Sequence, residues 1–138
     1  MILLDTHAFV WLMEGDAKIT KNKKLVGLIE KNIPTQTIFV SEISAWEIAM
    51  LESKGRIKLN EPIEDWLEQA FSAPGIKSIN LTPKIIVDSV NLPGKFHADP
   101  SDRLIVSTSR LLGAELITAD KEIIRYSKSG YLKVFRFV

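Results

Sequence analysis

The chain has no cysteine, two histidines and no long uninterrupted apolar run. Without cysteine there are no disulfides, no thiolate metal sites and no cysteine nucleophile, and the composition fits a reducing compartment, so a cytoplasmic location is the expectation. Two histidines without ligand spacing disfavour zinc. No stretch approaches the roughly eighteen apolar residues that span a bilayer, so no membrane association is expected. The opening "MILLDTHAFVWLMEG" has no basic leading segment and carries Asp5 and His7 within its apolar run, so it fails as a signal peptide. The chain also lacks an excess of either charge: the net charge is +1, which neither demands nor forbids a polyanionic partner and makes any nucleic-acid contact a local matter.

What is present is ordinary globular material. The 138 residues, 46% hydrophobic and 25% charged, suffice for one well-cored domain, and no repeat, low-complexity tract or linker divides residues 1–138. Short apolar runs alternate with amphipathic ones. "MILL", "TIFVS", "IKSINL", "ELIT" and "KVFRF" read as strands. "THAFVWLM", "TKNKKLVGLIEKN", "ISAWEIAMLESKG" closed by Gly55, "EPIEDWLEQAF" with Pro62 in its first turn, "TPKIIVDSV" capped by Thr82, Ser101 to Leu112 and "KEIIRYS" read as helices. Such alternation predicts an α/β fold with a parallel sheet covered on both faces, whose ligands sit beyond the carboxyl ends of the strands.

Acids cluster at those ends. Asp5 follows the first strand, Asp99 precedes Pro100 and Asp102 at a helix start, and Asp120 follows "ELIT". Each has an innocent reading as a cap or first-turn residue favoured by the helix dipole. Glu47 is harder to dismiss. On a helical wheel it falls within the stripe Ile43, Trp46, Met50 and Leu51, and an acid facing a core must be neutralised, paired or bound to a cation. The bland alternative is a capping box from Ser44 to Glu47. Taken together, Asp5, Glu47, Asp102 and Asp120 would meet at one rim of a parallel sheet, and protonation or a divalent cation is the usual relief of that repulsion. An all-oxygen donor set suits Mg²⁺ or Mn²⁺.

The remaining polar candidates are open to two readings. His7 packs or hydrogen-bonds, and His97 orients an acid or contacts substrate. Arg103 and Arg110, on the polar side of their helix, and the "KITKNKK" run at 18–24 are solvated faces or phosphate contacts.

"LLDTHAFVWL", "SAWEIAMLESKGRI" and "HADPSDRLIVSTSRLLGAELITAD", in this order over nearly the whole chain, resemble the PIN-domain family, in particular the VapC-type toxins of bacterial toxin–antitoxin pairs. By that resemblance Asp5, Glu47 and Asp102 match the acidic triad, Asp120 the fourth, more variable acid, and Asp99 a further acid of the "HADPSDR" motif that joins the metal set. The resemblance implies a three-layer α/β/α domain with a central parallel sheet. It also implies Mg²⁺- or Mn²⁺-dependent ribonuclease activity, a VapB-type antitoxin partner and a homodimer. Ser107 and Ser109 stand where similar proteins often carry alanine. Glu42 competes with Glu47 for the second acidic position.

The mechanism expected is hydrolysis of an RNA phosphodiester by a metal-activated water, with Asp5, Glu47, Asp102 and Asp120 around the metal. Thr6 and Thr118 would position water or phosphate, and Arg103 would touch substrate. A haloacid-dehalogenase-type phosphotransferase would need a second Asp where the chain has His7. A response-regulator receiver would need a phosphoacceptor Asp after its third strand, and "SINLTP" offers none. The rival from another class is a catalytically silent PIN-like module whose acidic pocket binds a partner's arginines.

Overall fold

A computed structural model describes residues 1–96 and 98–137; His97, a candidate to orient an acid, lies outside the described residues. The order is β1 (Ile2–Leu4), α1 (Thr6–Met13), α2 (Ala17–Thr20), α3 (Lys23–Asn32), β2 (Ile38–Ser41), α4 (Glu42–Ser53), α5 (Ile63–Phe71), β3 (Ile76–Ile79), α6 (Pro83–Val90), α7 (Pro100–Leu112), β4 (Glu115–Thr118), α8 (Lys121–Ser127) and β5 (Val134–Arg136). The five strands form one parallel sheet in the order β3-β2-β1-β4-β5.

Residue alternation along β1 assigns the two faces. Ile2 and Leu4 join a core with Phe9 and Val10 of α1, Leu25 and Ile29 of α3, Ile48 of α4 and Trp66 of α5. Leu3, between them, joins a second core with Ile105 and Val106 of α7, Ile123 and Tyr126 of α8 and Leu116 of β4. The sheet is therefore buried on both sides, which explains why its strands are apolar at successive positions. Helices cover both faces, giving the expected three-layer α/β/α arrangement. No helix among the described residues is long and apolar enough to cross a membrane.

Two local expectations change. The charged helix expected over 20–32 starts only at Lys23, after the separate short helix α2, because the Asn22 side chain caps α3 by accepting from the Leu25 N–H at 3.0 Å. Pro62 is the N-cap of α5 rather than a first-turn residue. Gly113 closes α7 at φ +67, a left-handed turn that glycine adopts without a Cβ penalty. It delivers the chain into β4.

The topology creates the crevice. After β1 the chain builds outward through β2 and β3, then returns to place β4 and β5 on the other side of β1. The strand order reverses at β1, and residues just beyond the carboxyl ends of β1, β2 and β4 share one rim.

Candidate active site

Leu4 stands beside Val40 on one side and Ile117 on the other, so the next residue, Asp5, emerges between the ends of β2 and β4. Its amide donates to the Ile117 carbonyl at 3.2 Å, which fixes the backbone as it leaves the sheet. The Asp5 carboxylate then does two things. Oδ1 accepts from the Ala8 N–H at 2.8 Å and caps α1, while Oδ2 accepts from the Thr118 hydroxyl. Asp5 is 7% exposed, and burial raises its pKa to about 6 despite those two hydrogen bonds and the neighbouring His7.

Asp120, two residues beyond Thr118, caps α8 by accepting from the Ile123 N–H at 2.9 Å, and its own amide donates to the Thr118 hydroxyl at 3.0 Å. Asp99 caps α7: its Oδ1 accepts from the Asp102 N–H at 3.2 Å and the Ser101 hydroxyl at 3.1 Å. The capping reading is thus correct for Asp5, Asp99 and Asp120. It does not compete with the collective one, because Asp5, Glu47, Asp99, Asp102 and Asp120 all line one open cavity of about 490 Å³.

Glu47 reaches the cavity from α4, but by a route the helical wheel did not give. Trp46, placed on the same inward stripe, is 57% exposed, and the buried positions of the helix are Ser44 and Ile48. Helix α4 packs against both α1 and α7, which turns the Ser44–Ile48 face inward and sets Glu47 half-buried on its flank. Its Oε1 accepts from the Thr6 hydroxyl at 2.6 Å, and the Thr6 oxygen lies 2.9 Å from that of Ser44. The Ser44 to Glu47 capping box is not formed, since the helix starts earlier, with Ser41 as N-cap. Glu42, in the first turn, is exposed and does not line the cavity.

Asp102 carries the largest electrostatic load. Its pKa is pushed up to about 8, first by burial and then by the charges of Asp99, Asp120 and Glu47. An acid held protonated near neutrality by burial and by other acids around it marks a site short of positive charge. Arg56, from the turn after α4, lines the same cavity and was not singled out in the sequence; with His7 it supplies the basic groups of the wall among the described residues. The Gly55 that ends α4, at φ +70, was the available signal, because the residue after it turns back across the helix end.

Three expectations are revised. Thr118 is fully buried and Thr6 is 2% exposed, so neither hydroxyl is open to substrate, and each gives its hydrogen bond to a carboxylate. Arg103 is not a free phosphate contact: its guanidinium donates to the carbonyls of Ser89 at 2.8 Å, Phe96 at 2.5 Å and Val90 at 3.4 Å. Arg110 is not solvated either, since it pairs with Asp88 at 2.9 Å.

Among the described residues, no group of three or more His, Asp or Glu side chains is gathered tightly enough to hold an ion as it stands. The donor set nevertheless fits a hard divalent cation in kind: carboxylate oxygens from four elements around one cavity, one of them with a strongly raised pKa. A cation held among them would offset the repulsion between these carboxylates.

The family model for the PIN domain matches residues 2–129. Ribonuclease VapC22 of Mycobacterium tuberculosis is 31% identical over 122 residues, covering 88% of each chain. Among solved structures, VapBC2 from Rickettsia felis, determined bound to a DNA fragment from their promoter, aligns over 100% of both chains with a TM-score of 0.66 and 19% identity. VapBC-1 from nontypeable Haemophilus influenzae aligns over 99% of this chain and 98% of that one, with a TM-score of 0.67 and 16% identity. At those identities the two structures speak to the fold.

Proposed function

The chain belongs to the PIN domain family, and from that premise we propose that it is a metal-dependent endoribonuclease, the toxin of a toxin–antitoxin pair. The observation that carries the reading is the shared cavity of Asp5, Glu47, Asp99, Asp102 and Asp120, where burial, joined by the neighbouring acids, raises Asp102 to about 8. Such a pocket repels RNA until it is filled by cations, and then attracts phosphate. Likeness to a protein named a ribonuclease supports RNA as the substrate.

Asp5, Asp102, Glu47 and Asp120 would hold Mg²⁺ or Mn²⁺, with Asp99 as a further carboxylate on the same wall. Held there, such an ion would lower the pKa of a water so that it could attack a phosphodiester as hydroxide, and would offset the negative charge building on the phosphoryl oxygens. The chain's own groups set the stage. Thr118 fixes Asp5, and Thr6 fixes Glu47, so each carboxylate is aimed by a buried hydroxyl. Arg56 on the wall would meet a phosphate as a point charge or a fork, and His7, two residues after Asp5, lines the same wall. The solved relatives assemble as VapBC pairs, which supports a VapB-type antitoxin as partner; a homodimer acting in the cytoplasm completes the reading.

The test uses purified, partner-free protein with labelled structured and unstructured RNAs, in Mg²⁺ or Mn²⁺ and in EDTA. Cleavage that needs the ion and is lost in Asp5→Asn and Asp102→Asn is the expected result. Metal-independent cleavage, or cleavage kept by both variants, overturns it. Arginine-peptide binding to the pocket without any cleavage would favour the silent interaction module instead.

A further inference from the structure

Beside the carboxylate cavity lies a second, basic concavity that plays no part in the chemistry above. It is shallow and lined by Ala17, Lys18, Lys21, Asn22, Lys23 and Lys24, from α2, the turn after it and the start of α3. The two are joined through one side chain. Trp11 lines the carboxylate cavity, and the Lys18 ammonium sits over its ring, 4.8 Å from the centroid. His7, also on the cavity wall, stands against the same indole with ring centroids 5.7 Å apart. The acidic cavity thus ends at Trp11, and the lysines begin there.

The lysines are exposed and poorly compensated. Among the described residues, Lys18 is the member of this group with a carboxylate partner, Asp16 at 3.4 Å, and no ion pair holds Lys21, Lys23 or Lys24. Two of them are also badly placed for the fold. Lys23 and Lys24 open α3, whose first turn contains no acid, so two cations stand at the positive end of the helix dipole. A fold indifferent to these positions would favour acids there. An unfavourable local charge beside a site that handles a polyanion is accounted for by contact with that polyanion.

We infer that the Lys18–Lys24 concavity is the track for the phosphates of single-stranded RNA flanking the scissile bond, reached from the carboxylate cavity across Trp11. The inference rests on the ribonuclease reading. A flexible single strand can bend from the metal site over an indole and lay successive phosphates along a lysine row, and Lys21, Lys23 and Lys24 contact it as point charges without reading sequence. The track therefore contributes affinity and direction rather than base specificity.

The test measures binding of a fluorescein-labelled twelve-nucleotide single-stranded RNA to the Asp102→Asn protein across a salt series, with and without Lys21→Gln/Lys23→Gln/Lys24→Gln. Removing cations from a helix start favours α3, so the triple variant keeps its fold, which circular dichroism verifies. The expected result is at least tenfold weaker binding at low salt. The slope of log affinity against log salt should shrink by about 2, from three phosphate contacts at roughly 0.7 each. A control triple, Lys77→Gln/Lys84→Gln/Lys133→Gln, changes three exposed lysines elsewhere on the surface. Unchanged affinity and slope in the Lys21/Lys23/Lys24 variant overturn the inference, as does an equal loss in the control. Those outcomes are separable from failure of the ribonuclease reading, which shows as absent metal-dependent cleavage by the wild-type chain.

Discussion

The carboxylate cavity and the seam between α6 and α7 contain the same kinds of residue arranged to opposite ends. In the seam, Asp88 accepts from Arg110 at 2.9 Å and from the Ser107 hydroxyl at 2.7 Å, and Ser107 also donates to the Ile85 carbonyl at 2.9 Å. Arg103 draws together the carbonyls at the end of α6 and beyond it, and Ser109 donates to the Ala114 carbonyl at 2.8 Å. Every charge there has a partner supplied by the fold. In the cavity, five carboxylates face one another with hydroxyls, one histidine and one arginine for company. One region converts polar groups into cohesion; the other holds an unbalanced charge that a proton, an external cation or a cationic ligand settles.

The sharpest way to break the contrast is to remove charge from the cavity. Asp102→Asn is expected to lower cleavage by on the order of 10²- to 10³-fold, the scale of losing one preorganised electrostatic group, while leaving the metal-free protein as stable as the wild type or more so. Cleavage assays and denaturant titration in EDTA on one preparation check both halves. A variant that lost stability along with activity would show that Asp102 supports the fold as Asp88 does.

The complementary cut is in the seam. Arg103→Ala strands three carbonyls and is expected to cost about 2 kcal/mol of stability, in line with lost hydrogen bonds from a charged donor. Equilibrium urea unfolding measures it. Because the guanidinium is committed to α6 and the loop after it, any loss of RNA cleavage should follow the fraction folded. An affinity defect in fully folded protein would return Arg103 to the substrate.

A third test uses pH. Asp102 titrates near 8 and Asp5 near 6 in the folded protein, against an unfolded value of 3.8. Between the unfolded and folded values the native state binds more protons than the unfolded chain, so stability falls as pH rises. Metal-free protein should therefore lose several degrees of Tm from pH 4.5 to 8 through these two groups, and flatten above that. Mg²⁺ should reverse the trend, since deprotonated acids bind it better as pH rises. Asp102→Asn should remove the upper part of the window, from 6 to 8. A metal-free Tm that is independent of pH over this range would remove the premise of an overloaded cavity.

How much of this was legible in the sequence differs between the two regions for a physical reason. Strands, caps and the acids at strand ends are local or set by sheet topology, so Asp5, Asp99 and Asp120 could be placed as caps from their neighbours alone. Glu47 lines the cavity, but the wheel that singled it out also put Trp46 inside; only the packing of α4 between α1 and α7 turns Ser44 and Ile48 inward. The seam was opaque. Arg103 reaches Ser89 and Arg110 reaches Asp88, 14 and 22 residues away, and no periodicity reports a long side chain bending across to another helix. Arg56 was missed likewise, because its approach to the cavity depends on the turn after α4.

The smallest effect tests whether the hydroxyls of the cavity act on chemistry or only on packing. Thr6 donates to Glu47 at 2.6 Å and neighbours Ser44 at 2.9 Å, with 2% of its surface exposed. Thr6→Val keeps volume and branching and removes the donor, so Glu47 is freed to rotate while the core contact survives. A hydrogen bond of this kind is worth about 1 kcal/mol, which corresponds to roughly fivefold in rate when it is felt in the transition state. The drop should fall on kcat, because Thr6 positions Glu47 and does not touch RNA. Thr6→Ser restores the hydroxyl at the cost of a methyl and should recover most of the rate while losing more stability than Thr6→Val does. That crossing of the two orders, rate following the hydroxyl and stability following the methyl, separates a positioning role from a structural one; if both variants lose rate in proportion to stability, Glu47 is held by packing and the Thr6 hydroxyl is incidental.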